Sequence, residues 1–484
     1  MTRADQPAEL TDSEKLVTML GILTAMFLAA LDQSIVTPAM PTIGGHLGSP
    51  EYLPWIVTAY LLTSTAVAPL YGKVSDIYGR RSTLYAALAL FLLGSLVSAL
   101  SPNMFMLIAG RAIQGVGGGG LFALSQILIG DMLPPRERGK YAAWISGMWA
   151  VASIAGPLLG GLFAEWHWSL IFWLNLPLGL IAMIVVDKPL RKLHTAARAH
   201  KLDAPGALLL VTGTALLLLV LNWGGAVYPW NSPQILGTLV LSLLLWIAFA
   251  WRLVRAPEPL VSVEVLSNRI VLAGCFGMFM VSGASVSVAV FLPIYAQGHF
   301  GLSPAGSGYA LVGFLLGTTV GAAISGRLTT RVERIKRIAI PGMLLCIAGF
   351  VVLGLLAGQD SLVVFEVLTI VAGIGLGTCY PVLTISVQNG TDQHHLGVAT
   401  GMLTFLRSLG AALCVAALGA VALGFGVPLG AERGTSAVGP VADTFPFTVL
   451  FCAIALIMLG ALAFTVVMPH KPLRGRQEPI PIVE

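Results

Sequence analysis

The feature that most constrains this chain is a series of fourteen apolar segments, each long enough to cross a lipid bilayer. A membrane-spanning helix needs roughly 20 mostly apolar residues, because lipid cannot hydrogen-bond to an open backbone. Only 10% of the 484 residues are charged, which is too few to cover a water-facing surface of this size. The pattern predicts an all-α polytopic membrane protein. Its spans are predicted near residues 16–40, 53–72, 82–101, 104–130, 140–164, 168–187, 204–223, 235–254, 270–297, 304–326, 338–358, 361–388, 396–424 and 445–469.

The placement of Lys and Arg residues tests this count of spans. With an even number of spans and cytoplasmic termini, 24 of the 27 Lys and Arg residues lie in inside loops or tails or at the cytoplasmic ends of spans. Arg433 lies outside, and Arg111 and Arg407 lie within spans. Basic residues are retained on the cytoplasmic side of membrane proteins, so both termini are predicted to be cytoplasmic. The same rule accounts for the net charge of +5 without a nucleic-acid partner.

An internal repeat indicates two related halves. Gly72 and Gly326 begin similar basic loops 254 residues apart, and Gly147 and Gly401 have the same spacing. The repeat predicts two six-helix bundles with two helices inserted between them. The predicted order is a cytoplasmic tail (1–15), a first bundle (16–187), a linker (188–202), two inserted helices (203–254), a linker (255–269), a second bundle (270–469) and a cytoplasmic tail (470–484).

The sequence contains no motif for the common enzymatic chemistries. There is no Walker A match and no HExxH, and the five Cys residues lie in apolar stretches without a CxxC or Cys/His pairing. We therefore expect a protein that is not an enzyme, holds no metal and needs no cofactor.

An acidic residue lies inside the first apolar span. Burying a charge near the centre of a membrane helix costs at least about 2.5 kcal/mol, so Asp32 is a candidate for binding a proton or substrate. A helix-packing hydrogen bond or a counter-ion role is the alternative. Arg111 lies at a similar depth in span four, about 13 Å from the outer end, and is its candidate partner. Gln114 follows one turn later, beside glycines that allow close helix packing.

The second half contains two further ionisable residues within its spans. Arg407 lies deep in span thirteen, where it either lines a cavity or holds the halves together in one state. Glu366 lies near the end of span twelve, and a solvated end residue is as good an interpretation as a cavity role.

Two segments have the composition of moving parts. The loop after span two carries Gly72, Asp76, Gly79, Arg80 and Arg81, and such a loop could serve as a conformational latch or simply as a basic inside loop. In span five, the spacing of Gly147, Gly156, Pro157 and Gly160 suits a kinked helix at a close interface between halves.

These motifs together resemble the major facilitator superfamily, in particular its fourteen-span drug:proton antiporter branch of the QacA and EmrB type. Gly72–Arg81 looks like the signature loop between spans two and three, and Arg111-Ala-Ile-Gln-Gly115 looks like the span-four motif. The segment from Gly147 to Gly161 resembles the antiporter motif. Leu31–Pro41 and Trp168–Gly179, which includes Ile171-Phe-Trp-Leu-Asn-Leu-Pro177, are similar to the first-span and sixth-span patterns.

The resemblance implies alternating access and proton-driven export of hydrophobic or cationic small molecules across an inner membrane. It implies that Asp32 binds the proton or cation, that Arg111 is its partner, and that Asp76 and Arg80 form the latch. Gly156 and Pro157 would be the hinge. A monomer is expected, with a periplasmic adaptor protein possible. The alternatives are export of a lipid, siderophore or other metabolite, and a non-transporting membrane sensor.

Overall fold

The computed structural model describes residues 12–49, 52–192, 203–225, 227–302, 304–359, 361–392, 395–425 and 444–473. These residues form helices, and the strand-like pairing among them is an isolated bridge between Gly224 and Tyr228. The helices are α1 (Asp12–Leu47), α2 (Leu53–Tyr78), α3 (Arg80–Ala99), α4 (Met104–Met132), α5 (Pro135–Trp166), α6 (Leu170–Trp173), α7 (Asn175–Lys192), α8 (Ala204–Trp223), α9 (Pro233–Arg255), α10 (Val263–Ser267), α11 (Arg269–Phe300), α12 (Pro304–Thr329), α13 (Lys336–Leu355), α14 (Leu362–Gly377), α15 (Cys379–Gly390), α16 (Leu396–Gly424) and α17 (Phe445–Val467).

Fourteen helical segments are long and apolar enough to cross a membrane, which confirms the predicted number of spans. Two of these spans consist of two helices each. The sixth is interrupted at Leu174 and the twelfth at Thr378, although both residues keep helical backbone angles. Pro177 and Pro381 lie three residues after these interruptions, and each lacks the N–H that would bond to the carbonyl group four residues earlier.

Several helices begin with side-chain caps. Asn103 accepts a hydrogen bond from the Met106 N–H at 2.9 Å, and Asp203 accepts one from the Gly206 N–H at 3.0 Å. Ser232 and Asn268 cap α9 and α11 in the same way. A capping oxygen satisfies one of the N–H groups that an isolated helix end leaves without a partner.

The chain divides into two compact units. The first unit contains 1–133, 148–265 and 392–405, and the second contains 134–147, 266–391 and 406–484. Boundaries fall inside α5, α10 and α16, so each of these helices contributes to both units. The predicted bundles at 16–187 and 270–469 are a different division and stay a prediction. Linker residues 193–202, most of both tails and 426–443, which include Arg433, lie outside the described residues.

Helix α4 is the centre of the first unit, where it packs extensively against α2 and α3. A Cβ at Gly115 or Gly119 would overlap the backbone of α2, and one at Gly117 would overlap the backbone of α3. The glycines therefore let α4 approach two neighbours at backbone distance, as the sequence predicted. This close packing fixes the depth at which Arg111 lies.

The inserted helices α8 and α9 pack against each other, and α8 also packs on α2 in the first unit. The Thr58 hydroxyl donates to Asn222 Oδ1 at 3.3 Å, and the Trp246 ring stacks on Phe405 with centroids 6.0 Å apart. The second unit is built mainly from α11 to α15 and α17. Four cysteines, Cys275, Cys346, Cys379 and Cys414, are buried, and Cys452 is exposed.

Candidate functional site

The candidate site centres on a buried ion pair in the first unit. Arg111 Nη1 on α4 donates to Asp32 Oδ2 on α1 across 2.5 Å, and the exposed fractions of the two side chains are 1% and 0%. The two residues therefore lie at the same depth in the membrane-spanning region, as counting residues along spans one and four predicted. Removing one member of such a pair leaves an unpaired buried charge, which typically costs 3–5 kcal/mol in proteins, so the two residues depend on each other.

Two amide side chains complete the environment of Asp32. Gln114 Nε2 donates to Asp32 Oδ1 at 2.8 Å, and Asn175 Nδ2 donates to the same oxygen at 3.0 Å. Both amides also donate to Ser95 Oγ, at 2.7 and 3.1 Å. Arg111 Nη1 in turn donates to Gln114 Oε1 at 2.7 Å. We call these five side chains the Asp32 network; all of them are buried.

The guanidinium group of Arg111 is held on its other sides as well. Its Nε donates to the Ile56 carbonyl group at 3.0 Å. Its carbon Cζ lies 4.5 Å from the centroid of the Tyr60 ring and 5.8 Å from that of Phe172. Aromatic faces stabilise a cation in a site without water. Arg111 is thus fixed by a charge, two carbonyl oxygens and two rings.

Four helices place the Asp32 network. Asp32 comes from α1, Ser95 from α3, Arg111 and Gln114 from α4, and Asn175 is the first residue of α7. Arg111 and Gln114 are three residues apart and therefore lie on one face of α4. The interruption at Leu174 comes just before Asn175 and sets where α7 starts. The site can hold a carboxylate, in a setting closed to water, between a cation and neutral donors.

The predicted latch loop forms a second polar cluster in the first unit. Arg80 Nη1 lies 2.5 Å from Asp76 Oδ1, and Arg80 Nε donates to Asp131 Oδ2 at 2.8 Å. The Asp76 carboxylate also faces the first turn of α16, since a Cβ at Gly397 would lie 2.6 Å from Asp76 Oδ1. A carboxylate at a helix N-terminus is stabilised by the helix dipole. The two carboxylates and the α16 terminus therefore meet around Arg80.

The remaining latch residues have distinct positions. Gly72 faces the backbone at Gly397, where a Cβ would overlap the carbonyl group. Gly79 separates α2 from α3 with φ of 88°, a left-handed conformation that glycine adopts without strain. Arg81 does not join Asp76. It pairs instead with Asp187 at 2.5 Å, and that carboxylate also accepts a hydrogen bond from the Tyr85 hydroxyl at 2.7 Å.

The predicted hinge residues lie on α5. Gly156 faces Ser34 and Gly160 faces the Ile35 carbonyl group, so α5 approaches α1 at backbone distance next to Asp32. Pro157 lies inside α5, and Gly147 has open space where a Cβ would be. The glycine spacing predicts a close interface between halves, whereas the contacts of Gly156 and Gly160 lie within the first unit. Small residues allow the approach in either case, which is why spacing alone could not identify the neighbour.

Glu366 and Arg407 belong to the second unit, not to the Asp32 network. Glu366 on α14 is half-buried, and its carboxylate lies over Gly313 of α12. Arg407 on α16 interacts electrostatically with Tyr380 on α15. Their roles in proton or substrate binding stay predictions.

Sequence reasoning missed four polar residues of these clusters. Asn175 and Ser95 carry no charge, so burying them costs less than burying an ion and their presence in apolar spans did not mark them as site residues. Asn175 is nevertheless part of the sixth-span pattern. Asp131 and Asp187 lie at the ends of membrane spans, where a solvated position is ordinary. In the described residues, no group of three or more His, Cys, Asp or Glu side chains is arranged to hold a metal ion. The absence of metals and cofactors stays a prediction.

Fourteen apolar helices with a charged pair buried between them define a polytopic membrane protein with a functional site inside its helices. The profile of the Major Facilitator Superfamily matches residues 22–415, and the chain belongs to that family. The Multidrug transporter protein MdtP of Bacillus subtilis is 34% identical over 411 residues, covering 84% of this chain and 75% of its own length. The MFS-type efflux pump LUC4 of Fusarium is 35% identical over 409 residues, covering 81% of this chain and 71% of its own.

A solved structure agrees with the family at the level of the fold. The proton:xylose symporter XylE superposes with a TM-score of 0.64 over 96% of this chain and 98% of its own, at 15% identity. The relatives and the fourteen spans confirm the resemblance to the drug-exporting branch of the superfamily. The chain is thus a multi-pass transporter of small molecules whose relatives are named as efflux pumps.

Proposed function

We propose that this protein is a proton-coupled exporter of hydrophobic or cationic small molecules, working as an antiporter by alternating access. The observation that carries the proposal is the Asp32 network, a carboxylate closed off from water in an apolar helix. Such a group is costly to bury and has a default interpretation as part of an ion or substrate pathway. The names of the relatives support export of drug-like molecules.

The coupling follows from competition for one carboxylate. In the described arrangement Arg111 occupies Asp32 Oδ2, so the negative charge is neutralised from within the protein. A proton neutralises the same charge, and so does a cationic substrate. If only one partner at a time satisfies Asp32, binding of a proton on one side releases substrate there, which is the exchange that an antiporter performs.

The latch residues supply the conformational part of the proposal. Arg80 joins Asp76 to Asp131, and Asp76 faces the start of α16. We infer that this cluster stabilises one state of the transport cycle and that its release allows the other. The pair Gly156 and Pro157 would let α5 bend beside Asp32 during that change.

The proposal also covers the orientation of the protein in its membrane, its oligomeric state and its energy source. Both termini are cytoplasmic by the distribution of Lys and Arg, and the membrane is an inner membrane. The working unit is a monomer powered by the proton gradient, with a periplasmic adaptor as an optional partner.

The test is efflux of ethidium, a lipophilic cation, from proteoliposomes with an imposed pH gradient. We expect the gradient to drive transport by the wild type and Asp32→Asn, which keeps the size but not the charge, to abolish it. Asp203→Asn is the matched control, since Asp203 is also buried and pairs with Arg252 at 2.6 Å away from the Asp32 network. Size-exclusion chromatography checks that both variants are folded.

Each other outcome redirects the proposal. Equal transport by wild type and Asp32→Asn would make Asp32 structural and move the search for the coupling site to Glu366. Loss of transport in the Asp203→Asn control as well would show that any buried acid suffices to disrupt the protein. If the wild type moves no cation under a gradient, a lipid or metabolite substrate replaces the drug-export proposal, and a panel of such substrates identifies it.

A further inference from the structure

We propose that Asn175 is the positioning residue that adapts the Asp32 network to a proton, by turning its side-chain amide over. In one orientation the amide donates to the Asp32 carboxylate, and in the other it accepts the O–H of the protonated acid. The inference rests on the proposed proton coupling and names the residue that makes both states of Asp32 acceptable inside the protein.

The hydrogen bonds around Asp32 suit a carboxylate alone. Its three side-chain partners, Arg111 Nη1, Gln114 Nε2 and Asn175 Nδ2, are all donors. A protonated carboxyl group carries an O–H that needs an acceptor, and a buried donor without one is strongly disfavoured. Protonation therefore requires that at least one neighbour change from donor to acceptor.

Gln114 cannot make that change. Its Oε1 accepts from Arg111 Nη1 at 2.7 Å, and Arg111 is itself held by the Ile56 carbonyl group. Turning the Gln114 amide would point its N–H groups at the guanidinium, which has no acceptor, and its oxygen at the Asp32 carboxylate. The orientation of Gln114 is thus fixed by the cation beside it.

Asn175 can make the change without breaking a hydrogen bond to its oxygen, since no group in the described residues donates to Asn175 Oδ1; the turn costs Nδ2 its two acceptors, Asp32 Oδ1 and Ser95 Oγ. Both hydrogen bonds of its side chain come from Nδ2, one to Asp32 Oδ1 and one to Ser95 Oγ. After the amide turns, Oδ1 lies at both places and accepts from the Asp32 O–H and the Ser95 O–H. A serine hydroxyl can donate or accept, and Ser95 Oγ keeps the hydrogen bond from Gln114.

Few other groups could take over this role. In the described part of the chain, the charged and titratable groups that face Asp32 are Arg111 on α4 and Tyr60 on α2, whose ring lies against the guanidinium. Arg111 is a donor only. The helices α3 and α7 face Asp32 with the neutral Ser95 and Asn175. Of the two amides that donate to Asp32, Asn175 is therefore the one whose orientation is not fixed by the guanidinium of Arg111.

The first test is the external pH at which gradient-driven ethidium transport is half-maximal. Asn175→Asp has nearly the same shape but offers the carboxylate only acceptors, so two acids share a proton and the midpoint should rise by about one pH unit or more. Asn175→Thr, whose hydroxyl can donate or accept, should keep the wild-type midpoint. Ser98→Ala is the control, because Ser98 lies one turn from Ser95, is equally buried, and its hydroxyl has no hydrogen-bond partner among the described residues.

The second test follows the amide directly in the purified, unenergised protein. An infrared difference spectrum between high and low pH should contain a carboxyl C=O band that disappears in Asp32→Asn and an amide C=O band that disappears in Asn175→Thr. The amide band should also vanish in Asp32→Asn, since no proton then arrives. A carboxyl band without any Asn175 amide band would overturn the inference, as would an unchanged midpoint in Asn175→Asp.

The two tests separate this inference from the function on which it rests. If the wild type shows no pH-driven transport, the proposed antiport fails, while the infrared bands still report whether protonation of Asp32 turns Asn175. If transport is pH-driven and Asn175→Thr shifts the midpoint as far as Asn175→Asp does, antiport stands and the role of Asn175 falls.

Discussion

Replacing Arg111 by Met should destabilise the protein more than any other single change in the Asp32 network. Met fills similar space but removes the ion pair with Asp32 and the donors to Gln114 Oε1 and the Ile56 carbonyl group. Stranding a buried charge costs about 3–5 kcal/mol, and each orphaned acceptor adds roughly 1–3 kcal/mol. We expect a loss of at least about 5 kcal/mol in the free energy of unfolding.

Asp32→Asn should cost less, because Arg111 keeps two carbonyl acceptors and the face of Tyr60. The unpaired charge of Arg111 therefore suggests a cost at the lower end of the range for a broken buried pair, about 3 kcal/mol. In the double variant neither charge remains, so the total should fall short of the sum of the single changes by at least about 2 kcal/mol. Unfolding titrations in mixed micelles with rising SDS content measure all three variants against the wild type.

Additive losses in that double-mutant cycle would refute the reasoning, because they would mean that Asp32 and Arg111 stabilise the protein independently. A wild-type midpoint for Arg111→Met would refute it as well. Arg111→Lys is a useful third variant. It keeps the charge but loses the donor to the Ile56 carbonyl group, and we expect an intermediate stability.

Two further predictions concern the moving parts. Gly160→Ala should lower the melting temperature and the yield of folded protein, because its Cβ would overlap the Ile35 carbonyl group. Gly147→Ala is the control and should change neither, because a Cβ at Gly147 of the same helix would meet open space. Equal effects of the two substitutions would contradict the packing argument. Asp76→Asn should slow transport about tenfold with equilibrium substrate binding unchanged, since one partly buried ion pair is worth on the order of 1–2 kcal/mol. Transport and binding assays on the same preparation measure both quantities, and a parallel loss of binding would argue against a latch.

The sequence predicted the fold and the charged part of the site because unpaired backbone groups and unpaired charges both cost free energy in lipid. Fourteen apolar segments of this length form membrane-spanning helices. A buried Asp and a buried Arg at the same depth are most stable when they form an ion pair, and Asp32 and Arg111 do so in the structure. Neutral polar residues carry no such signal. Asn175 and Ser95 are tolerated in many apolar helices, so nothing in their spacing indicated that they meet at Asp32.

Other features depended on neighbours that spacing cannot identify. The Gly156 and Gly160 pair predicted a close helix contact but not that α1 would provide it. Arg80 and Arg81 are adjacent and looked equivalent, yet they point to different carboxylates, because consecutive helical residues face directions about 100° apart. The interruptions at Leu174 and Thr378 could not have been predicted from proline alone, because Pro69 and Pro157 lie inside helices that continue through them.

The distribution of the native thiols gives this protein a practical advantage for labelling. Four cysteines are buried, and Cys452, the exposed one, lies within a membrane-spanning helix. Alkylating reagents react with the thiolate, which forms where water reaches the sulfur. A water-soluble maleimide should therefore leave the native chain almost unmodified. A single cysteine introduced near the start of α16 would then report, through its rate of modification, how often that segment meets water during turnover.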